Sequence, residues 1–147
     1  MSEGSRFFDM EAPPDPSVSV ADPSSGDRPD FVQPYFGDRV QVHDLVTNPE
    51  SDGLRLSIYR MAPGTMFPRH SHDVDYIEFV LDGEVHHGNK VVRRGAGVYR
   101  KAGTPYTFTA GPQGAVIADF RAKTFYGTTW LDEPAGWPAH REWTDAP

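Results

Sequence analysis

Apolar and polar residues alternate in short runs between Tyr35 and Ala122, and turn residues separate these runs. A period of two residues is typical of half-buried strands, whereas an amphipathic helix repeats its apolar positions every three or four residues. No ten-residue window shows convincing helical spacing. The predicted strands are Arg39–Val46, Leu54–Met61, Tyr76–Leu81, Glu84–His87, Val91–Arg93, Gly97–Arg100, Tyr106–Ala110 and Ala115–Ala122. Short strands at such even spacing predict an all-β barrel or sandwich.

The chain on either side of these strands has a different composition. Residues 1–35 contain six of the 14 prolines, with Ser, Asp and Gly between them, and predict a flexible or extended N-terminal segment. An arm exchanged across a dimer is the alternative interpretation of this segment. Residues 126–147 hold all three tryptophans and predict a segment that packs on the barrel or on a partner subunit. The barrel itself is predicted at residues 36–125.

Composition and charge exclude several classes of function. The 147 residues suffice for one domain, and the absence of cysteine excludes disulfides, thiol catalysis and thiolate metal sites. Of the net charge of −7, residues 1–35 carry −5, so neither part offers the basic patch that binds nucleic acid. No run approaches the roughly 20 apolar residues of a membrane helix. The N-terminus lacks the pattern of a signal peptide, so a cytoplasmic location is expected by default.

Two histidines, His70 and His72, stand two positions apart in a segment with strand character. Side chains at positions i and i+2 of a strand point to the same face. Inside a barrel, two such imidazoles can converge on one cation or one ligand. An arbitrary pair with this spacing is more often an ordinary surface or core pair, so the surrounding residues decide which interpretation is preferred.

The surrounding residues resemble the first cupin motif, in which a glycine precedes HxH and a second glycine follows it. The matching residues are Gly64, His70, His72 and Gly83 in that motif, and Gly95 and Ala102–Pro105 in the second motif. The resemblance covers roughly residues 54–120. It implies a double-stranded β-helix (jelly-roll) barrel, a homodimer, and a site in the barrel mouth. In such proteins three histidines and one glutamate commonly bind a divalent transition metal such as iron, manganese, zinc or nickel.

Two of the four ligand positions implied by the resemblance carry tyrosine. Tyr76 stands where the first motif usually has glutamate, and Tyr106 stands where the second usually has histidine. Glu78 has the same parity as His70 and His72, but lies about 6.6 to 6.8 Å further along a strand than Tyr76. Tyrosine is a poor ligand for most divalent ions near pH 7 because its free pKa is about 10.

The pair Asp82-Gly83 predicts a two-residue hairpin turn, which would place His87 directly opposite Glu78 and facing inward. The predicted site therefore combines inward residues from several strands. Its expected metal ligands are His70, His72 and Glu78, its expected catalytic groups are Tyr76, Glu78 and Tyr106, and its expected substrate-pocket residues are His87 and Phe108. Ordinary roles remain open for the two tyrosines as core aromatics and for His87 as an exposed residue if the register slips.

Two functions remain open on these grounds. The first is a small cupin enzyme that acts on an organic small molecule through metal-assisted acid–base chemistry, as a lyase, isomerase, cyclase or oxygenase. The alternative is a non-enzymatic module that binds or senses a small molecule without metal, because two ligand positions are lost to tyrosine. Arg100 and Lys101 are candidates for binding an acidic substrate at the mouth, with an ordinary solvated lysine as the competing interpretation.

Overall fold

Two long bent strands, β4 (Tyr76–His87) and β7 (Tyr106–Arg121), organise the fold. Residues 4–20 and 37–132 are described by the structure, a computed structural model, and these ranges contain no α-helix. A 3-10 turn, Gly37–Arg39, precedes the first strand. The remaining strands are β1 (Val40–Val46), β2 (Arg55–Met61), β3 (Met66–His72), β5 (Lys90–Arg93), β6 (Gly97–Arg100) and β8 (Thr128–Trp130).

Strands β4 and β7 each run through two sheets, and all pairings are antiparallel. The second half of β7 pairs with β2 and with the first half of β4, and β1 and β6 extend this sheet at its two ends. The first half of β7 pairs with β3 and with the second half of β4, and β8 and β5 extend that sheet. Two sheets that share two bent strands form a jelly roll, so the predicted all-β double-stranded β-helix is confirmed.

The predicted hairpin at Asp82-Gly83 is wrong, because β4 continues through these residues from one sheet to the other. The register with β7 shifts on both sides of this pair, which is the signature of a bulge. Gly83 has a φ of 70°, and a Cβ at this position would overlap the carbonyl oxygen of Gly114. A bend and a hairpin turn both need a residue that tolerates positive φ, so the local sequence alone does not distinguish them. The nearby hairpin is made instead by Gly88-Asn89, which joins His87 to Lys90.

The bulge changes which residues of β4 face the interior. Tyr76, Glu78 and Val80 are buried before it, whereas Val85 is buried after it and His87 shares the parity of Val85. His87 therefore lies on the inner side, as predicted, but its strand partner is Lys90 and not Glu78. The predicted Glu78–His87 pair does not form, and the backbone partners of Glu78 are Val98 and Asp119.

The same change of parity occurs in β7 across residues 111–114. Phe108 and Ala110 are buried before this irregularity, and Ala115, Ile117, Asp119 and Arg121 are buried after it. The predicted break at Gly111–Gly114 is thus a bend inside one 16-residue strand. The apolar core lies between the two sheets. Its residues are Val40, Tyr59, Met61, Phe67, Val80, Val85, Val92, Phe108, Ala110, Ala115 and Ile117.

Part of the predicted N-terminal segment lies against β1 and β2. The Thr47 hydroxyl donates to the Val18 carbonyl at 2.7 Å, and the Arg60 guanidinium donates to the Met10 carbonyl at 3.2 Å. Residues 1–3 and 21–35 of that segment lie outside the described residues, as do residue 36 and residues 133–147 with Trp137 and Trp143. The described start of the C-terminal segment adds β8 to the edge of β3. No helix in the described ranges has the length and apolar character needed to cross a membrane.

Candidate functional site

His70 and His72 both lie inside the barrel. They are 2% and 3% exposed, and their ring centroids are 4.9 Å apart. Glu78 is buried on the same side, 3% exposed. The inward parity predicted for alternate residues of this part of the chain is therefore confirmed, whereas the chemical role of each residue stays a prediction. β3 brings the two imidazoles between β7 and β8, where His70 is the backbone partner of both Tyr106 and Trp130.

The tautomer of His70 is set by a carbonyl group. Its Nδ1 lies 2.6 Å from the backbone oxygen of Pro68. A carbonyl oxygen only accepts, so Nδ1 carries the hydrogen and Nε2 keeps its lone pair. Burial lowers the pKa of His70 to about 4, the hydrogen bond to Pro68 opposes this, and the charges of Arg121 and Arg100 lower the pKa further. His70 is neutral at pH 7.

His72 is neutral and is held at both ring nitrogens. Burial lowers its pKa well below the usual value, and the nearby Arg121 and His70 act in the same direction. Its Nδ1 lies 3.0 Å from the Thr128 hydroxyl, and its Nε2 lies 3.3 Å from the Tyr106 hydroxyl. A hydrogen bond to the backbone of Gly127 opposes the lowering of the pKa, as a donated ring N–H does. Both ring nitrogens of the neutral His72 are therefore engaged by hydroxyl groups of the protein.

Two buried guanidinium groups lie near enough to the imidazoles for their positive charges to lower the pKa values of both histidines. Arg100 is 6% exposed and forms an ion pair of 2.8 Å with Glu78, and its Cζ lies 3.7 Å from the ring centroid of Tyr106. Arg121 is 3% exposed and forms an ion pair of 2.8 Å with Asp119. Each of these carboxylates already has a cationic partner. Charge pairing of this kind is what permits four ionised groups to be buried together.

Burial moves the pKa of most site residues away from neutrality. It raises the pKa of Tyr76 and of Tyr106 above the usual value for a phenol, and the negative charge of Glu78 acts in the same direction. Burial lowers the pKa of Arg100, but Glu78, Tyr76 and Tyr106 together raise it above the usual value, so the guanidinium stays charged. Asp119 is the exception, because burial raises its pKa to about 6 against the opposing charge of Arg121.

Three of these charged residues were not predicted from the sequence as inward site residues. Asp119 and Arg121 share the parity of the buried Ile117, which is the signal that could have identified them. The neighbouring residues Ala118 and Phe120 are apolar, and they suggested that the other face of this strand, without Asp119 and Arg121, was the inner one. Arg100 was predicted only as a candidate at the mouth, whereas its side chain reaches the interior.

Two cavities adjoin this cluster. The inner cavity has a volume of about 20 Å³ and is bounded by the imidazoles, Glu78, Tyr106, Phe108 and Trp130 among others. That volume holds about one water molecule, so it does not accommodate an organic ligand. The outer pocket has a volume of about 460 Å³. Its lining residues are His87, Gly88, Lys90, Val92, Gly97, Val98, Arg100, Tyr106 and Thr107. Tyr106 lines both cavities and forms part of the wall between them.

Apart from Tyr76, the predicted residues are therefore divided between the two cavities. His70, His72, Glu78, Tyr106 and Phe108 surround the inner cavity. His87 lines the outer pocket. The ring of Tyr76 packs against His72 with centroids 5.5 Å apart, and its hydroxyl accepts from an Arg100 nitrogen at 3.4 Å.

The donor set does not fit a divalent metal ion. Within the described ranges, no three His, Asp or Glu side chains are grouped so that they could share one ion. The Nε2 of His72 lies within hydrogen-bond distance of the Tyr106 hydroxyl, and Glu78 is paired with Arg100. A cation placed between the imidazoles would also meet the positive charges of Arg100 and Arg121, which already lower the pKa of both histidines. The arrangement instead suits hydrogen bonding to neutral or anionic groups.

Acidification from pH 7 to pH 5 is expected to destabilise the barrel. The folded-state pKa is about 4 for both His70 and His87, against about 6.5 in the unfolded chain. Between these values the unfolded state binds more protons, so the free energy of unfolding falls as the pH falls. His70 alone contributes about 2 kcal/mol of this loss at pH 5. Asp119 has the opposite effect on stability. Its pKa is raised to about 6, so on acidification the folded state binds this proton at a higher pH than the unfolded state does.

Urea unfolding at pH 7 and pH 5 measures this effect in the native protein and in His70→Asn. The asparagine amide retains a donor for the Pro68 carbonyl but does not titrate. The loss on acidification should be about 2 kcal/mol smaller in the variant. An equal loss in both proteins would show that His70 is not held neutral by the fold.

Several solved structures have a fold similar to that of this chain. An RmlC-like cupin protein from Ralstonia eutropha matches with a TM-score of 0.56 and 21% identity, covering 65% of this chain and 62% of that one. The DMSP lyase DddQ from Ruegeria pomeroyi matches with a TM-score of 0.56 and 20% identity, covering 65% and 53%. In both cases less than two thirds of the other chain is covered.

A third structure is covered almost completely. It is an uncharacterized conserved protein with a double-stranded β-helix domain from Klebsiella pneumoniae, with a TM-score of 0.54 and 17% identity, covering 69% of this chain and 95% of that one. No protein-family model and no curated protein matches the sequence. At these identities the similarity concerns the fold, and the resemblance in the sequence motifs agrees with it. The chain has the double-stranded β-helix fold of the cupins.

Proposed function

We propose that this protein binds a small organic molecule in the outer pocket without the help of a metal ion. The observation that carries this proposal is the pair of buried arginines, Arg100 and Arg121, whose positive charges act on the two neutral imidazoles. In a metal-binding cupin this region needs free nitrogen lone pairs and an unpaired carboxylate. Here the lone pair of His72 and the carboxylate of Glu78 are both used within the protein.

The sizes of the two cavities support the outer pocket as the binding place. Pockets for small organic molecules typically have volumes of about 300 to 1,000 Å³, are mostly apolar and contain a few polar groups. The outer pocket, at about 460 Å³, is within this range, and the inner cavity, at about 20 Å³, is not. Val92 and Val98 supply apolar surface, and Arg100 and Tyr106 supply polar groups next to the inner cluster.

Acid–base catalysis by the predicted groups has less support. An efficient general acid or base has a pKa near the working pH. The pKa values of His70 and His72 lie far below neutrality, and those of Tyr76 and Tyr106 lie far above it. Structures with the same fold include a DMSP lyase and an oxalate decarboxylase, so the fold is compatible with enzymes. A metal-assisted enzyme stays a prediction with the weaker support, and the homodimer also stays a prediction.

A thermal-shift screen of small organic molecules, run with excess chelator and then with added divalent metal, tests this function. A ligand at a hundredfold excess over its Kd should stabilise the protein by about 2.7 kcal/mol, equally under both conditions. Stabilisation that requires the metal would contradict the proposal. A broad screen in chelator in which no organic molecule stabilises the protein would contradict it as well.

Two matched variants tie any stabilisation to the outer pocket. Val98 lines this pocket and shares the inward parity of Arg100, whereas Val91 has the parity opposite to the inward Val92. Val98→Phe should fill part of the pocket and abolish the ligand-induced shift, and Val91→Phe should leave it unchanged. Equal shifts in both variants would place the ligand elsewhere.

A further inference from the structure

We infer that the ligand of the outer pocket is an organic monocarboxylate with an apolar body, bound with its carboxylate toward Arg100 and Lys90. This inference rests on the proposed function and specifies the chemical class of the ligand. It is carried by the charges and the apolar surface that line the pocket, and by the direction in which Arg100 presents its nitrogens.

The charge of the pocket is opposite to that of the chain. The protein has a formal net charge of −7, which on average disfavours the approach of anions. Among the residues that line the outer pocket, however, two are cationic, Lys90 and Arg100, and none is acidic. Within the described ranges, Lys90 has no carboxylate partner in an ion pair. A local excess of positive charge in an acidic protein favours an anionic ligand at this place.

Arg100 divides its donors between the interior and the pocket. Its Nη1 is used by Glu78 at 2.8 Å, whereas its Nη2 lies 3.1 Å from Nδ1 of His87. His87 lines the pocket, and burial together with the charge of Arg100 lowers its pKa to about 4, so it is a neutral acceptor at pH 7. A carboxylate is a stronger acceptor for a guanidinium than a neutral imidazole. A ligand carboxylate can therefore replace His87 as the partner of Nη2 without disturbing Glu78.

The rest of the pocket lining indicates which kind of ligand body fits beside the carboxylate. Val92 and Val98 are apolar, and Gly88 and Gly97 leave space beside them. Lys90 and Arg100 are both directed at one carboxylate in this arrangement, so a second carboxylate would lie against apolar surface without a cation, which disfavours dicarboxylates. A phosphate monoester carries a larger charge near pH 7 and is usually bound by more donors than two cations supply. One carboxylate on an apolar chain or ring fits the lining best.

Isothermal titration with a matched series of probes tests the ligand class. The probes are the straight-chain monocarboxylates from butanoate to decanoate, the primary amides and monoalkyl phosphates of the same lengths, all in excess chelator. We expect the affinity for carboxylates to increase with chain length until the pocket is full. The amide of equal length should bind about tenfold more weakly or worse, because it cannot form charge-assisted bonds. Amides or alkyl phosphates that bind as tightly as the carboxylates would overturn the inference.

Lys90→Gln and Lys101→Gln form the matched pair of variants. Both lysines are exposed, but only Lys90 lines the pocket. Lys90→Gln should weaken carboxylate binding about two- to fivefold, as expected for an exposed charge, and should leave the binding of amides unchanged. Lys101→Gln should change neither. Equal effects of the two substitutions would refute the role of Lys90.

The failure of this inference differs from the failure of the proposed function. If neutral molecules bind in chelator and Val98→Phe blocks them, the pocket function stands and the carboxylate assignment falls. If no probe of any charge binds and the broader screen also finds no ligand, the proposed function itself falls.

Discussion

Replacing Arg100 with methionine is expected to lower the free energy of unfolding by about 3 to 5 kcal/mol, because the substitution leaves a buried carboxylate without its counter-ion. Glu78 is 3% exposed and has Arg100 as its ion-pair partner at 2.8 Å. Methionine keeps an unbranched apolar side chain at this position but loses both the charge and the cation–π contact of the guanidinium with the Tyr106 ring. Urea unfolding at pH 7 measures the change.

The double variant Glu78→Gln/Arg100→Met separates charge pairing from packing. It removes both charges, so it should be clearly more stable than Arg100→Met alone. Lys101→Met, at the exposed neighbouring position, should change the free energy of unfolding by less than about 0.5 kcal/mol. A double variant that is less stable than Arg100→Met would contradict a coupled pair and with it the charge arrangement of the site.

Gly83→Ala is expected to have the second large effect, a loss of about 4 kcal/mol or more, up to a failure to fold. The residue has a φ of 70°, which an L-residue adopts at a cost of about 1 to 2 kcal/mol. A Cβ here would in addition overlap the backbone carbonyl of Gly114, and two backbones cannot move apart without breaking the register of β4 and β7. Thermal and urea unfolding of the variant measure the loss.

Gly88→Ala is the matched control for this substitution. Gly88 has a similar φ of 59°, but no heavy atom lies within 4 Å of a Cβ built there. It should therefore lose only the conformational part, about 1 to 2 kcal/mol. If the two variants are equally stable, β4 does not pass close to Gly114, and residues 82 and 83 form a surface turn after all.

The alternation of residues was enough to predict most strands and the architecture. The bounds of β1, β2, β5 and β6 differ from the predicted runs by no more than one residue at either end. The two long strands were each predicted as two short ones, because Asp82-Gly83 and Gly111–Gly114 are typical of turns. A glycine with positive φ serves a turn and a bulge equally well, and only the neighbouring strands decide between them.

The site was predictable only in part, for the same reason. The spacing of His70 and His72 within one strand was sufficient to place both inside the barrel. Asp119 and Arg121 share the inward parity of Ile117, but the apolar residues Ala118 and Phe120 beside them concealed this pattern. Arg100 reaches the interior because its partner Glu78 lies there, a long-range contact that the sequence does not encode locally. The charges that disfavour a metal were therefore the part of the site that local patterns did not predict.

Calorimetric titration of chelator-treated protein with zinc, manganese, iron(II) and nickel at pH 7 tests the central claim most directly. The claim is that the His70–His72 pair does not bind a metal ion. The positive charges of Arg100 and Arg121 disfavour a cation there, and the Tyr106 hydroxyl already contacts His72. We expect no binding that differs between the native protein and the His70→Ala/His72→Ala variant. One equivalent of metal bound by the native protein and lost in that variant would contradict the claim.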